Sequence, residues 1–568
     1  MKKNPGWFAC LCAVSFSVPV WASPSVPGDI TAYSTIYSIG IEWDIEGDTN
    51  HNASCPVQYR KAGETGWKDF VGLFRVDFYG SYNSQPADRA YNMLAGSILF
   101  LEPGTSFEVK LDLTDPDGGS ESRTVTIATR RIPSMPQGGR EIHVEPGSSG
   151  GSGTESDPYH GLDEAESAAN PGDIILVHAG AYDEYHFNKS GTESDYLVWK
   201  AAGDGDAIFN QVRVYGEHTW FEGLKFEYTS PDDGRGLIGQ NDVEDVVVSR
   251  CTFSGFNYSI TLKSGCAHWY IADNTIAGDK VDFQVEGDFG GEGVELGKTS
   301  GHTVCYNSIS LTADGVSYAH RNCDIFGNDI FNVSDDGIEP DYGYANIRMW
   351  GNRITNAFNH DFSFQPMYCG PWYLIRNQTC GTTQRVFKYR IQDRFLCAHN
   401  TFIGMSRLAT YGHHILSSLS RNNLWILAGD NGYIWEGLTC SDPAFCISPD
   451  RFEPDWRTDV DYDGFDWGQS TYAFKWWENT TRYTDLESFV ADVGIERHGI
   501  VVDKEDIFDS YSMPSQGHIV ERRHFALRPG CNAVDAGDVL PGINENYTGA
   551  APDLGALEQG ASLPYYGP

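Results

Sequence analysis

Three carboxylates, Glu339, Asp341 and Asp361, fall into a repeat that also brings in Lys388 and Arg390, and this grouping is where the chain could do chemistry. Segments 293–298, 315–320, 337–342, 361–366, 386–391 and 408–413 start 22, 22, 24, 25 and 22 residues apart. Most hold an apolar residue at the second place (Val294, Val316, Ile338, Phe362, Phe387). In a strand that residue turns inward and its neighbours turn outward. Three outward columns follow: Gly293, Gly315, Gly337, Asp361 and Val386; Glu295, Ser317, Glu339, Ser363 and Lys388; Gly297, Ala319, Asp341, Gln365 and Arg390. Sheet geometry then sets Glu339 roughly 7 Å from Asp341 and roughly 8 Å from Asp361. An acid and a base about 6.5 to 9.5 Å apart admit a water and cleave a glycosidic bond with inversion, whereas about 5 to 5.5 Å goes with retention. The reading makes Glu339 the acid, Asp361 the base, and Asp341 the substitute for either. Crowding beside Tyr342, Phe364 and Tyr368 is expected to keep the acid protonated. Glu295, Asp336, His360, Gln365, Tyr368, Lys388 and Arg390 are expected to line the substrate. Asp335 and Asp336 also fit a turn, where Asp caps backbone amides, and His302 and His360 read equally well as substrate contacts or satisfied turn residues.

What must position these residues is a stack of short strands. Asn274, Asn307, Asn328, Asn352, Asn377, Asn400 and Asn423 recur 21 to 25 residues apart after one step of 33, which predicts an insertion between the first two. Stacked Asn side chains can hydrogen-bond from turn to turn, and Asn tolerates left-handed backbone. With strand-like segments and no helical apolar period, the repeat predicts an all-β, right-handed parallel β-helix.

The chain has 568 residues, too many for one compact core. Residues 1–22 carry Lys2 and Lys3, an apolar run and Val20-Trp21-Ala22, the pattern of a cleaved secretory signal, so the protein is expected to be exported. Its removal takes the formal charge from −38 to −40. Such a surface repels nucleic acid and anionic membranes, so neither is expected as a partner. In an oxidising compartment Cys369–Cys380 and Cys440–Cys446 are the cheapest disulfides because each closes a short loop. No Cys and His spacing indicates zinc. Asp459-Val-Asp-Tyr-Asp-Gly-Phe-Asp466 offers alternating oxygen ligands, so calcium is conceivable there, but the EF-hand spacing is absent and a solvated turn is the simpler reading. Trp467, Trp476 and Trp477 read as packing against the coil.

Residues 23–134 alternate apolar and polar residues between turn signals, with Trp43, Tyr59 and Leu101-Glu-Pro-Gly-Thr-Ser-Phe107 in an order that resembles a fibronectin type III β-sandwich. Residues 138–568 would be the β-helix, with a Gly-rich turn and short helix ending at Ala169 that resemble the N-terminal cap of secreted β-helix proteins, and a long C-terminal loop region. The clustered carboxylates resemble the sites of β-helical glycoside hydrolases, polygalacturonase-like enzymes among them, although the polygalacturonase motifs themselves are not reproduced. The resemblance implies a secreted hydrolase acting as a monomer on a polysaccharide, needing no cofactor. Lys388 and Arg390 point to an anionic or sulfated glycan. Two alternatives remain. A polysaccharide lyase or uronate epimerase would use Lys388, Arg390, Arg394, His360 and Tyr368; a non-catalytic glycan-binding β-helix would use the groove alone.

Overall fold

Strands of three to five residues, separated by turns that hold a left-handed residue, give this chain its shape. A computed structural model describes residues 23–78, 81–82, 85–229, 234–280, 289–389, 394–411, 417–430, 432–437, 459–476, 481–513 and 522–568. The signal-like segment, Arg390, the Cys440–Cys446 pair and Trp477 lie outside them. Three sheets run along the coil, with 14, 13 and 13 strands among the described residues. Their pairing is parallel from coil to coil, apart from a closing antiparallel pair, Phe474–Trp476 with Thr481–Tyr483.

The Asn ladder forms as a one-way chain. Asn274 Nδ2 donates to Asn307 Oδ1 at 2.9 Å, and the steps through Asn328, Asn352, Asn377, Asn400 and Asn423 repeat this at 2.9 to 3.0 Å. The last rung is a carboxylate: Asn423 donates to Asp463 at 3.0 Å. The left-handed residue of each turn is the one before the rung and not the Asn itself: Asp273, Tyr306, Gly327, Gly351, Arg376, His399, Asn422 and Tyr462 all have φ between 54° and 65°. Asn is therefore there for its amide. Asp463 belongs to this ladder, Asp459 pairs with Arg421, Asp461 with His498, and Asp466 with Lys504 at 3.2 Å. The aspartates of the calcium-like stretch are thus committed to protein donors.

Inward residues fill the coil: Val294, Val316, Ile338, Phe362 and Phe387 have no exposed surface. The helix Leu162–Ala168 closes the open N-terminal end, with Leu162 and Ala165 packed on Ile142, Val144 and Ile175. Trp476 packs on Trp435 and Phe489, as expected of a wall residue.

The N-terminal unit is antiparallel. Its strands form one continuous seven-stranded sheet in the order Val26–Ser34, Ile39–Glu46, Tyr91–Ile98, Lys68–Phe78, Cys55–Lys61, Ser106–Leu113, Glu121–Ala128. Ser34 Oγ donates to Ala128 O at 2.8 Å and Arg123 donates to Gly28 O, drawing the two edge strands together into a barrel-like shape. This unit is fused to the coil wall. Phe74 packs edge-on against Tyr373, Ser97 N–H donates to the Tyr373 hydroxyl at 2.6 Å, and the fully buried Arg348–Asp324 pair is hydrogen-bonded to Ser97 and Thr35. Burying an ion pair is stabilising only when such extra donors satisfy it.

Cys369 and Cys380 are not joined. Both are buried free thiols, Cys369 against the N-terminal unit beside Phe78 and Cys380 on another wall beside Ile403 and Phe525. Eleven residues apart in sequence, they are turned to different sides of the coil.

Candidate active site

The site lies on the third sheet, on the strands Glu292–Ser300, Asp314–Arg321, Asp336–Glu339, His360–Phe364 and Arg385–Tyr389. Pairing of Glu295 with Ser317, Ser317 with Glu339, and Ser363 with Lys388 stacks the expected second column. Glu339 is 7 % exposed. The Ser363 hydroxyl lies 3.4 Å from Glu339 Oε1 and 3.3 Å from Asp341 Oδ1, so it bridges the two carboxyls, and the Gln365 backbone N–H donates to Asp341. Glu339 and Asp341 are thus in contact through one hydroxyl, closer than the roughly 7 Å of ideal sheet geometry.

Asp361 is not in the groove. The chain bends as it enters each strand of this sheet, so the residue before the inward apolar one also faces the interior. A Cβ on Gly315 would strike Ile330, and one on Gly337 would strike Ile354 at 2.8 Å; Val386 and Leu408, next in the column, are core residues. Asp361 therefore sits inside the coil with both carboxyl oxygens buried and no well-formed hydrogen bond, the Thr382 and Thr379 hydroxyls being its polar neighbours. Burial pushes its carboxyl up to about 8 against the countering hydroxyls of Thr382 and Thr379. It cannot activate water for a substrate in the groove.

The residue one place earlier belongs to a largely buried polar column beside the core, and there the molecule holds an ordered series: Glu292 pairs with Asp314, Asp336 with His360, His360 with Arg385, and Arg385 with Arg407. Asp336, reached from Asp314 one coil on, donates its backbone N–H to Asp314 Oδ1 at 2.8 Å. Acids give way to a histidine and then to arginines along the axis. The signal was present in the sequence, since every one of the six segments is preceded by a charged or ionisable residue; framing the repeat one residue later concealed it.

Charge states within the cluster diverge. Burial and the neighbouring Asp336 push Glu339 up to about 7. Burial and Glu339 push Glu292 up to about 8 and Asp341 well above the usual carboxylate range. Burial and Glu292 do the same to Asp314, and burial and Asp336 push Asp335 up to about 8. Asp336 goes the other way. Burial opposes its ionisation, but His360 and Lys388 outweigh this and hold it well below the usual range. His360 Nδ1 is 2.6 Å from Asp336 Oδ1, and Lys388 Nζ is 3.4 Å from Oδ2. Burial lowers the His360 pKa despite Asp336, and its Nε2 is buried with no hydrogen-bond partner.

Glu295 is half-buried at the N-terminal end of the second column, and Gln365 half-buried beside Asp341. Tyr368 is not a groove residue: its ring packs on Phe78 and Tyr344 and its hydroxyl donates to Gln85 O of the N-terminal unit at 2.9 Å. Phe364 stacks on Trp372 inside the coil. Arg394 is tied to Asp77 at 2.7 Å. His302 is fully buried between Trp269 N–H and Thr299, its pKa lowered by burial to about 3. Among the described residues, Asp335, Asp336 and His360 are the one group with side-chain atoms close enough to share a metal ion.

No protein-family description matches the chain, and no curated protein matches it.

Proposed function

We propose that the chain is a polysaccharide-cleaving glycoside hydrolase in which Glu339 is the general acid and Asp336 the carboxylate base, with Asp341 sharing the acid's proton through Ser363. The observation that carries this is the opposite displacement of Asp336 and Glu339 on one strand of the groove. Titratable neighbours whose environments push them apart are the signature of a divided acid and base. Glu339 donates its proton to the glycosidic oxygen as the bond breaks; Asp336 takes a proton from the water that attacks the anomeric carbon. Lys388 stabilises the ionised base. The passage from Glu292, Asp314 and Asp336 to Arg385 and Arg407 supports an anionic glycan whose charged substituents lie toward the arginine end. The protein is read as exported, with the N-terminal unit kin to fibronectin type III modules in its strand-and-turn pattern.

A β-elimination reading is favoured by one observation, the Asp336–His360 pair. An imidazole oriented by a carboxylate and carrying an unpartnered Nε2 is suited to abstracting the C5 proton of a uronate. Incubation with neutral, uronic and sulfated polysaccharides, recording both reducing ends and absorbance near 235 nm (the unsaturated-uronate band), separates the two. Reducing ends without absorbance, lost in Glu339→Gln, support hydrolysis. Absorbance that survives Glu339→Gln and is lost in His360→Gln replaces it with elimination.

A further inference from the structure

One wall of the groove is built by residues that none of this chemistry uses. Lys298 and Tyr318 occupy equivalent places on successive coils, as the pairing of Thr299 with Ala319 shows, and Tyr342 stands on the next coil, whose Tyr344 N–H donates to His320 O at 2.7 Å. All three have left-handed backbone, with φ of 60°, 56° and 61°. Bulky residues avoid that region, and where they are held in it the strain marks a place at which side-chain direction matters. The consequence here is a wall standing beside the carboxyls: Glu339, Glu292, Asp314 and Asp341 add to burial in raising the Tyr318 phenol's pKa.

The Lys298 ammonium sits on this wall. Its Nζ lies 3.7 Å from the centre of the Tyr342 ring and 5.7 Å from that of Tyr318. Gln85 of the N-terminal unit holds it from the far side, with Oε1 at 3.4 Å. Gln85 is itself fixed by the Tyr368 hydroxyl on its carbonyl. Among the described residues Lys298 makes no ion pair, although the groove beside it is crowded with acids. An exposed cation that is positioned by a ring and an amide, with no ion pair among the described residues, is arranged to meet an anion from outside.

We infer that Lys298, with the Tyr318–Tyr342 wall, is the subsite for a sugar ring bearing a carboxylate or a sulfate ester next to the bond that is cleaved, and that the N-terminal unit takes part in substrate selection by holding Lys298 through Gln85. This rests on the reading of the groove as a polysaccharide site. Coils about 4.8 Å apart match the length of one pyranose unit closely enough for successive rings to meet successive coils.

The test measures binding apart from cleavage. The full-length chain carrying Glu339→Gln is run by affinity electrophoresis in gels containing alginate or polygalacturonate (carboxylates), κ-carrageenan (sulfate esters) or laminarin (neutral), each against a glycan-free gel. Retardation by one anionic class is expected, and identifies the substituent. Adding Lys298→Gln should weaken that binding at least about tenfold, Lys298→Arg should restore most of it, and Gln85→Ala should weaken it about threefold, with unchanged circular dichroism melts. In the active chain Lys298→Gln should raise KM more than it lowers kcat. Equal retardation with and without Lys298, or none by any anionic gel, overturns the inference. Lys298-dependent binding with no cleavage of any glycan leaves it standing and removes the hydrolase reading; cleavage indifferent to Lys298 does the reverse.

Discussion

Asp336 and Glu339 are both buried, on one four-residue strand, yet at neutral pH one is held ionised and the other retains much of its proton. Ion pairing decides the first; burial, and after it crowding by like charge, decides the second. Cleavage should therefore be fastest on the acid side of neutrality and fall as pH rises through about 7, where Glu339 loses its proton. A pH profile of kcat that holds level into the alkaline range would contradict this assignment. Glu339→Gln should reduce the rate by about 10² to 10⁴, the usual worth of a general acid. Asp361→Asn is predicted to keep full activity, because that side chain faces the interior. The place of Glu339 on the site sheet and the stacking of its column were legible in the sequence, since a buried apolar neighbour and a spacing of 22 to 25 residues suffice to define them. The place of Asp361 was not. Strict alternation assumes a straight strand, and the bend before Ile338 and Phe362 sends two consecutive residues inward. Nor was Tyr368 legible as a docking residue, because nothing in its own segment shows that the N-terminal unit covers it.

At the level of the elements, the turns carry the cost and the ladder repays it. Each rung follows a residue held in left-handed backbone, including Tyr306, Arg376 and His399, and each Oδ1 accepts both the backbone N–H and the side-chain amide of the preceding rung. Removing Asn352 strands the backbone N–H of Asn328, while the Asn328 amide keeps Val304 O at 3.0 Å and Phe326 O at 3.2 Å, and a buried donor without an acceptor costs about 1 to 3 kcal/mol. Asn352→Ala should accordingly lower the unfolding free energy by about 1 to 3 kcal/mol in urea titrations. Gly337→Ala tests the bend: its Cβ would meet Asp361 O at 2.6 Å and Ile354 at 2.8 Å, so a loss of about 1 to 3 kcal/mol is expected. If that change were tolerated, Gly337 would face the solvent and the interior placement of Asp361 would fail with it. The ladder itself was plain from one Asn per repeat; its terminus at Asp463 was hidden because a carboxylate among other aspartates looks like a loop.

For the molecule as a whole, the buried groups set a pH window. Glu292, Asp314, Asp335, Glu339, Asp341 and Asp361 all have folded pKa values above those of the unfolded chain, near 4. The stability they confer is complete below about pH 4 and is lost as pH rises, through about 7 for Glu339 and about 8 for Glu292, Asp335 and Asp361, and well above the usual carboxylate range for Asp314 and Asp341. Burial lowers His302 to about 3 and His320 to about 4, from about 6.5 unfolded, and their contribution is lost as pH falls through that range. The melting temperature should peak between about pH 4 and 7, and calorimetry from pH 3 to 9 measures it. Asp361→Asn should flatten the alkaline decline. The hydrogen bonds of the Asn ladder all run toward the C-terminal end and stop at a group that only accepts, where Asp463 also takes the Trp425 indole N–H at 2.9 Å. The interior rungs are interchangeable, since each both receives and passes on; the last is not. How many coils the protein has is therefore written at its end: a coil duplicated or excised between Asn328 and Asn400 leaves every donor with an acceptor, whereas a chain cut short of Asp463 has no place to stop.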